Sequence, residues 1–346
     1  MNLSRTGVGY IEISSSGKTI MVPATQISQR TVIVTGRGLK TAAIQDAEFV
    51  EGEPVDNPDV FIGQLKRSGL KADIFTFPQH LPDLTPKYRY HMEWDSMATV
   101  PITTFQDWLE KRVEYDVRKA LKKATKLGVV VKAVEFNDEL VRGIMGIYHE
   151  CPIRQGKPFW HYGKDFETIK SEKSTYLDRS EFIGAYYQDE LIGFIKMVYV
   201  DRVASTFHVL SMKKHSDKKP TNALIASAVE ICERKGLTHL VYGNYFYTHG
   251  NSSLTEFKRR NGFEEALVPR YYIPVTLKGW LFLKFGLHHG IKAALPRPLL
   301  RMFRTVRAKF YQYVRVGTKP KKPAASGTLE QDVTPASSGC TRESEV

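Results

Sequence analysis

One histidine, one turn of lysines and one helix start carry most of the chemistry open to this chain. His208 lies inside an apolar strand-like run, ASTFHVLSM. The turn KKHSDKK follows, and Pro220 then opens a helix. An imidazole can move a proton. Ammonium groups at Lys213, Lys214, Lys218 and Lys219 can neutralise phosphate, and the first N–H groups of a helix add partial positive charge. Strand end, turn and helix start thus point to the holding of an anionic ligand. Each residue also has an ordinary reading. His208 can be a satisfied strand histidine, and Asp217 and Asn222 can simply cap the helix. Glu150 ends a helical pattern beside the loop CPIRQGKPFWHYGKDF and is a candidate general base. That loop is rich in Arg, Gln, His, Tyr and Trp, a composition tied to recognition more than packing. Arg154, Gln155, His161 and Tyr162 are its candidates for holding a carboxylate or sugar. Lys196, inside LIGFIKMVYV, either snorkels or points into a cleft. Lys258 and Arg259 read as exposed.

The elements that must position these groups form one ordered unit. EFIGAYY, LIGFIKMVYV and ASTFHVLSM are three strands joined by turns at Gln188-Asp189-Glu190 and Asp201-Arg202. The helix from Pro220, the strand LTHLVYG, and a short helix ending in Asn261-Gly262-Phe263 complete it. Upstream, Phe105, Trp108, Leu109, Val113, Val117, Leu121 and Ala124 recur at spacings of three and four. This predicts one helix over 105–127, capped by Thr104 with Asp107 and stopped by Gly128. VVVKAVEF predicts a strand, and Asn137-Asp138 opens a further helix. Residues 51–103 predict a helix (VFIGQLKRSG) and two strands (ADIFTF, KYRYHMEW). LVPRYYIPVTLKG predicts a closing strand. Residues 1–50 read as short strands with Gly and Ser turns. Two nucleotide-like motifs there fail. Glu12 stands where a phosphate loop ending in Ser16-Gly17-Lys18-Thr19 needs glycine, and Thr41 stands where Gly36-Arg37-Gly38 needs its third.

Composition places the chain among ordinary globular proteins, with 42% hydrophobic and 25% charged residues over 346 positions. Net charge is +13. It is concentrated: residues 266–329 hold no Asp or Glu, and thirteen Lys and Arg, at 270, 278, 284, 292, 297, 301, 304, 307, 309, 315, 319, 321 and 322. Such a patch fits tRNA or an anionic membrane surface, reached through residues 278–322, as well as a solvated tail. Leu299, Phe303, Val306, Phe310 and Val314 give that stretch an amphipathic helix, and residues from 317 onward read as a disordered tail. Cys151, Cys232 and Cys340 form no metal-ligand spacing, so no metal is expected. With no signal-peptide pattern, the expected location is cytoplasmic, alone or peripheral to the membrane.

The segment Val129–Pro274 resembles the acyltransferase fold of the GNAT superfamily, and within it the branch of the Fem peptidyltransferases. The residues that carry the resemblance are VRKALKKATKLGVVVK, HVLSMKKHSDKKPTNALIASAVEICERKG, and SLTEFKRRNGFEE followed by PRYYIP. The resemblance implies an α+β fold: a GNAT-like mixed sheet flanked by helices. It further implies a reduced first GNAT-like half and a basic helical C-terminal extension. The divisions are then 1–50 lead-in, 51–127 reduced half with bridging helix, 128–275 acyltransferase domain, 276–315 extension and 316–346 tail. The donor is acyl-CoA or aminoacyl-tRNA, and the acceptor an amine on a cell-envelope precursor or sugar. Ser211, Lys213, Lys214, His215, Asp217, Lys218, Thr221 and Asn222 take the donor. Arg154, Gln155, His161, Tyr162, Lys196 and Asn244 take the acceptor. His208, Glu150 and Tyr245 are the catalytic candidates. One departure stands out: Lys213–Lys219 has no glycine where CoA-binding members carry a Gly-rich turn, which fits a branch that takes its acyl group from aminoacyl-tRNA. The competing reading is a non-catalytic protein that binds RNA or a membrane surface on a degenerate acyltransferase scaffold.

Overall fold

Gln188 and Asp189 both adopt left-handed backbone, with φ of 49° and 64°. Two consecutive residues of this kind make the tight turn that matches strand twist. They fold strand Ser180–Tyr187 directly onto Glu190–Val200. Asp201 (φ 49°) helps turn the second strand onto Val203–Ser211. The expected meander is therefore present.

The structure, a computed structural model, describes residues 7–15, 18–47, 55, 57–154, 156–246 and 252–290. It has two compact units, Met1–Trp280 and Leu281–Val346. Of the second, residues 281–290 are described, so the basic helix and tail expected beyond 290 lie outside the described residues, as do Gln155 and Ser16-Gly17.

Among the described residues, twelve strands form one mixed sheet. Across it run Gly9–Ser15, Lys18–Ile27, Arg30–Thr35, Thr41–Ile44, Ile74–Pro78, Glu264–Pro274, His91–Pro101, His239–Asn244, Val203–Ser211, Glu190–Val200, Ser180–Tyr187 and Val130–Val134. Two neighbouring pairs are parallel: Thr41–Ile44 with Ile74–Pro78, and Val203–Ser211 with His239–Asn244. Each is bridged by a helix, Pro58–Arg67 and Pro220–Arg234 respectively. The meander–helix–parallel-strand arrangement thus occurs twice. The closing strand Glu264–Pro274 lies between the halves, paired to Ile74–Pro78 on one edge and His91–Pro101 on the other.

Strand alternation divides the core between two faces. Ile183 and Ile195 pack with Leu224, Ile225 and Ala228 of Pro220–Arg234. Their neighbours Phe182 and Phe194 face Leu140, Ile144 and Tyr148 of helix Asp138–His149. Asn137 caps that helix by accepting from the Leu140 N–H at 2.9 Å.

Two sequence expectations need correction. The helix over 105–127 is broken. A short helical turn, Phe105–Asp107, widens into a π-type turn at Trp108–Arg112, Val113 is extended, and the helix restarts at Tyr115–Lys126. The Arg118 guanidinium covers the break by donating to the Leu109 and Val113 carbonyls. The apolar stripe stays in phase across it, with Trp108, Val113 and Val117 all buried, so periodicity could not reveal the interruption. The strand expected at KYRYHMEW begins only at His91. The backbone N–H groups of Lys87 and Tyr88 instead donate to the Tyr271 hydroxyl, at 2.8 and 3.5 Å.

Candidate functional site

The parallel pair at the centre of the second half is a fork. Its register runs Val203–His239, Ala204–Leu240, Ser205–Val241 and stops there. The Thr206 hydroxyl donates to the Val241 carbonyl at 3.1 Å and closes the crotch. On the other edge of the same strand, Lys196 pairs with His208 and Met197 with Thr206, so Phe207 is one residue too many. A bulge of this kind takes a residue out of the ladder and re-aims its neighbours. Beyond Ser205 one strand continues through His208 to Ser211. The other continues through Tyr242 to Asn244, then turns away, the Tyr245 N–H donating to the Ser96 carbonyl at 2.8 Å.

The start of helix Pro220–Arg234 meets the end of one tine. Its first position is preceded by Lys219 in left-handed backbone (φ 56°), which offers no side-chain cap. The Thr221 hydroxyl meets the Ser211 hydroxyl at 2.8 Å, and Asn222 donates to Asn261 Oδ1 at 3.0 Å. Lys258, expected as exposed, is fully buried. Its Nζ donates to the Asn244 carbonyl at 2.7 Å and stands 4.6 Å from the Tyr242 ring centre. Burial pulls its ammonium down to about 8. Burial also raises the Tyr245 phenol, which keeps its proton.

The lysine turn, expected as an open loop, is a 3-10 helix over Lys213–Lys218. Its charges are largely answered from within. Lys214 Nζ lies 2.7 Å from Glu190 Oε1, and His215 Nε2 lies 3.0 Å from Glu190 Oε2. Lys218 pairs with Asp217 at 3.2 Å and sits over the Tyr187 ring. The decisive contact here is Glu150. Its carboxylate accepts the backbone N–H groups of Lys213 (2.7 Å) and Lys214 (2.6 Å) and the Arg154 guanidinium (3.1 Å). Arg154 also donates to the Ser211 and Ile147 carbonyls, at 2.9 and 3.1 Å. Glu150 and Arg154 therefore tie the helix–loop junction to the end of the His208 strand.

A second group of candidates meets on the opposite face of the sheet. Lys196 and His208 are cross-strand partners there. Lys196 Nζ donates to the Lys173 carbonyl at 2.8 Å and to the Thr175 hydroxyl at 3.1 Å; burial lowers it to about 8. The Lys173 Nζ stands 3.0 Å from His208 Nε2. His161 stacks on Tyr148 with ring centres 4.2 Å apart and lies 5.9 Å from the His208 ring. Tyr162, by contrast, is exposed and 6.0 Å from the His149 ring. Burial, then the charges of Lys173 and its neighbours, hold His161 at about 2 and His208 well below the usual imidazole range.

Sequence reading missed Tyr148 and Lys173 and took Lys258 as exposed. The signals were present. Phe166, Ile169 and Lys173 fall at i, i+3, i+7, which places a lysine on an inward stripe. Leu254, Lys258 and Asn261, at i, i+4, i+7, do so on the last short helix.

The sheet order and the fork can be compared with known proteins. No family model matches the sequence, and no curated protein matches it either. Among solved structures, FemX superposes with a TM-score of 0.51 at 10% identity, over 80% of this chain and 90% of that one. The fold is GNAT-like and of the Fem type. L-PGS from Bacillus licheniformis is also similar, at TM-score 0.49 and 14% identity over 73% of this chain and 84% of the other. A tandem GNAT protein from the clavulanic acid biosynthesis pathway gives TM-score 0.42 and 10% identity, over 79% and 85%. Among the described residues of the Fem-type fold found here, no helix is long and apolar enough to cross a membrane.

Proposed function

We propose that this protein is an N-acyltransferase that moves an acyl or aminoacyl group from an activated carrier to an amine. The observation that carries the reading is the fork: a parallel pair that separates after Ser205 and Val241, with a bulge at Phe207 on the rim. A tetrahedral intermediate needs donors aimed at its developing oxyanion. Amide groups along the open strand edge beyond Ser205 are suited to this, since no strand on that side takes them. Holding carbonyl and amine together between the tines supplies much of the remaining advantage. No covalent enzyme intermediate is required.

Tyr245 is the proton donor in this reading. Its phenol, kept protonated by burial, gives its proton to the departing oxygen or sulfur of the carrier. The proton released from the attacking nitrogen restores it. Glu150 leaves the catalytic set, because its carboxylate already accepts two backbone N–H groups and a guanidinium. His208 leaves the role of base, since an imidazole held far below neutral gives little drive for proton abstraction. The absence of glycine from Lys213–Lys219, and the commitment of two of its amides to Glu150, support an aminoacyl ester over a carrier gripped by a backbone phosphate nest. An amine on a cell-envelope precursor or a sugar remains the acceptor in this reading, with the protein located in the cytoplasm or peripheral to the membrane.

Radiolabelled aminoacyl-tRNAs and acyl-CoAs, offered with a panel of amine acceptors, test the proposal. Transfer of label to an amine, lost on opening the fork with a Ser205→Trp change, is the expected result. No transfer and no binding of any activated acyl carrier overturns it.

A further inference from the structure

Three buried polar atoms around His208 point at nothing. The Tyr148 hydroxyl, His161 Nδ1 and His208 Nδ1 have no hydrogen-bond partner. Tyr148 is 0% and His161 5% exposed, and Lys173 beside them is 0% exposed. Buried polar groups are nearly always satisfied, so a cluster of orphans calls for a missing partner.

The charge balance says what that partner is. Among the described residues, Lys173 meets only His208 Nε2 within hydrogen-bond distance, and Lys196 meets only neutral oxygens. The acids near the cluster are engaged elsewhere: Glu172 holds Lys164 at 2.5 Å, Glu150 holds Arg154, and Asp46 takes the Tyr176 hydroxyl at 2.9 Å. An ammonium in a dry interior with no hydrogen-bonded acid is costly, even with Glu172 and Asp46 acting at a distance. When Lys173 is protonated and donates to His208 Nε2, the ring proton sits on Nδ1. With His161 in its Nδ1–H tautomer, Tyr148, His161, His208 and Lys173 can then each offer a donor. Donors on four neighbouring side chains match an oxyanion and nothing cationic.

We propose that Tyr148, His161, Lys173 and His208 form a binding site for an acid group, carboxylate or phosphate, on the acceptor substrate. Naming the acceptor as the occupant rests on the transferase reading; the anion site itself does not. Trp160, 45% exposed with its ring centre 3.5 Å from that of His161, borders the cluster on its solvent side.

The test uses the full chain at pH 7 and constant ionic strength set with chloride. Sodium acetate and inorganic phosphate are titrated separately, followed by calorimetry and by the imidazole C–H resonances of His161 and His208. Saturable binding of one probe with movement of both resonances is expected. Acetate alone indicates a carboxylate-bearing acceptor, phosphate alone a phosphorylated one. Lys173→Met should weaken binding at least about tenfold, and Tyr148→Phe a few-fold with the fold intact, while Lys119→Met on another face changes nothing. If neither probe binds beyond what chloride reproduces, or Tyr148→Phe and folded Lys173→Met bind as the parent does, the site is refuted and the transferase reading stands. If an anion binds but no acyl carrier is used, the site stands and the transferase reading falls.

Discussion

Lys173 Nζ and His208 Nε2 lie 3.0 Å apart, one at the end of a short helix and the other inside a strand. Two groups that are both cations at low pH share one hydrogen bond, so at most one proton is held between them. Burial lowers Lys173 to about 7. Its titration therefore falls within the working range of a cell.

That shift makes stability depend on pH. Lys173 stands at about 7, and Lys196 and Lys258 at about 8, each below the ordinary lysine value. A lowered lysine binds a proton in the unfolded chain at pH values where the folded chain has lost it, so stability rises with pH. The window opens near 7 and runs to the ordinary lysine value of about 10.4; above about 9, Cys232, pushed up to about 12 by burial, offsets one lysine's share. Each lysine contributes up to about 1.4 kcal/mol per pH unit. Urea denaturation at pH 7.5 and 8.5 should show a higher midpoint at 8.5, with part of the rise gone in Lys173→Met. A flat or falling midpoint in the parent contradicts these burial effects.

Glu150→Ala should lower stability by about 3 kcal/mol, because it strips the partners from two amides and a half-buried guanidinium. Glu150→Gln keeps one acceptor and should cost roughly half of that. If Glu150 were instead a general base, Glu150→Gln would leave the denaturation midpoint in place and abolish transfer.

Tyr245→Phe removes one hydroxyl and leaves the ring against Phe246, whose centre is 4.9 Å away. We expect an unchanged melting temperature and a fall in kcat of about a hundredfold. Single-turnover transfer with a saturating acyl carrier separates this from weaker binding. A variant that turns over at the parental rate rules out the proton-donor role.

Gly193 sits where helix Pro220–Arg234 presses on the meander. A Cβ there would meet Ser211 Cβ at 3.0 Å and Leu224 Cδ1 at 3.1 Å. Gly193→Val should cost about 1–3 kcal/mol through overpacking. It should also displace the helix start that faces the fork, so transfer falls along with stability. An unaltered melting temperature would show that the contact is easily relieved.

Much of the fold was legible because its signals are local. The turn at Gln188-Asp189, the cap at Asn137 and the proline opening Pro220–Arg234 each act within a few residues. Alternation in EFIGAYY and LIGFIKMVYV decides which side chains face which helix without reference to anything distant. The resemblance carried by the segments around His208 and Asn261 also held at the level of fold.

What the chain order could not decide was company. His208 and Lys173 are 35 residues apart, and only the register that sets Lys196 opposite His208 brings a helix end against that strand. Glu150 has the composition of a base and the surroundings of a tether, because the amides it binds are 63 and 64 residues away. Lys258 reads as a surface residue until the diverging strand offers it the Asn244 carbonyl. Side-chain chemistry is written residue by residue. Whether a charge meets water, a backbone or another charge depends on long-range packing, and that is set by the whole sheet at once.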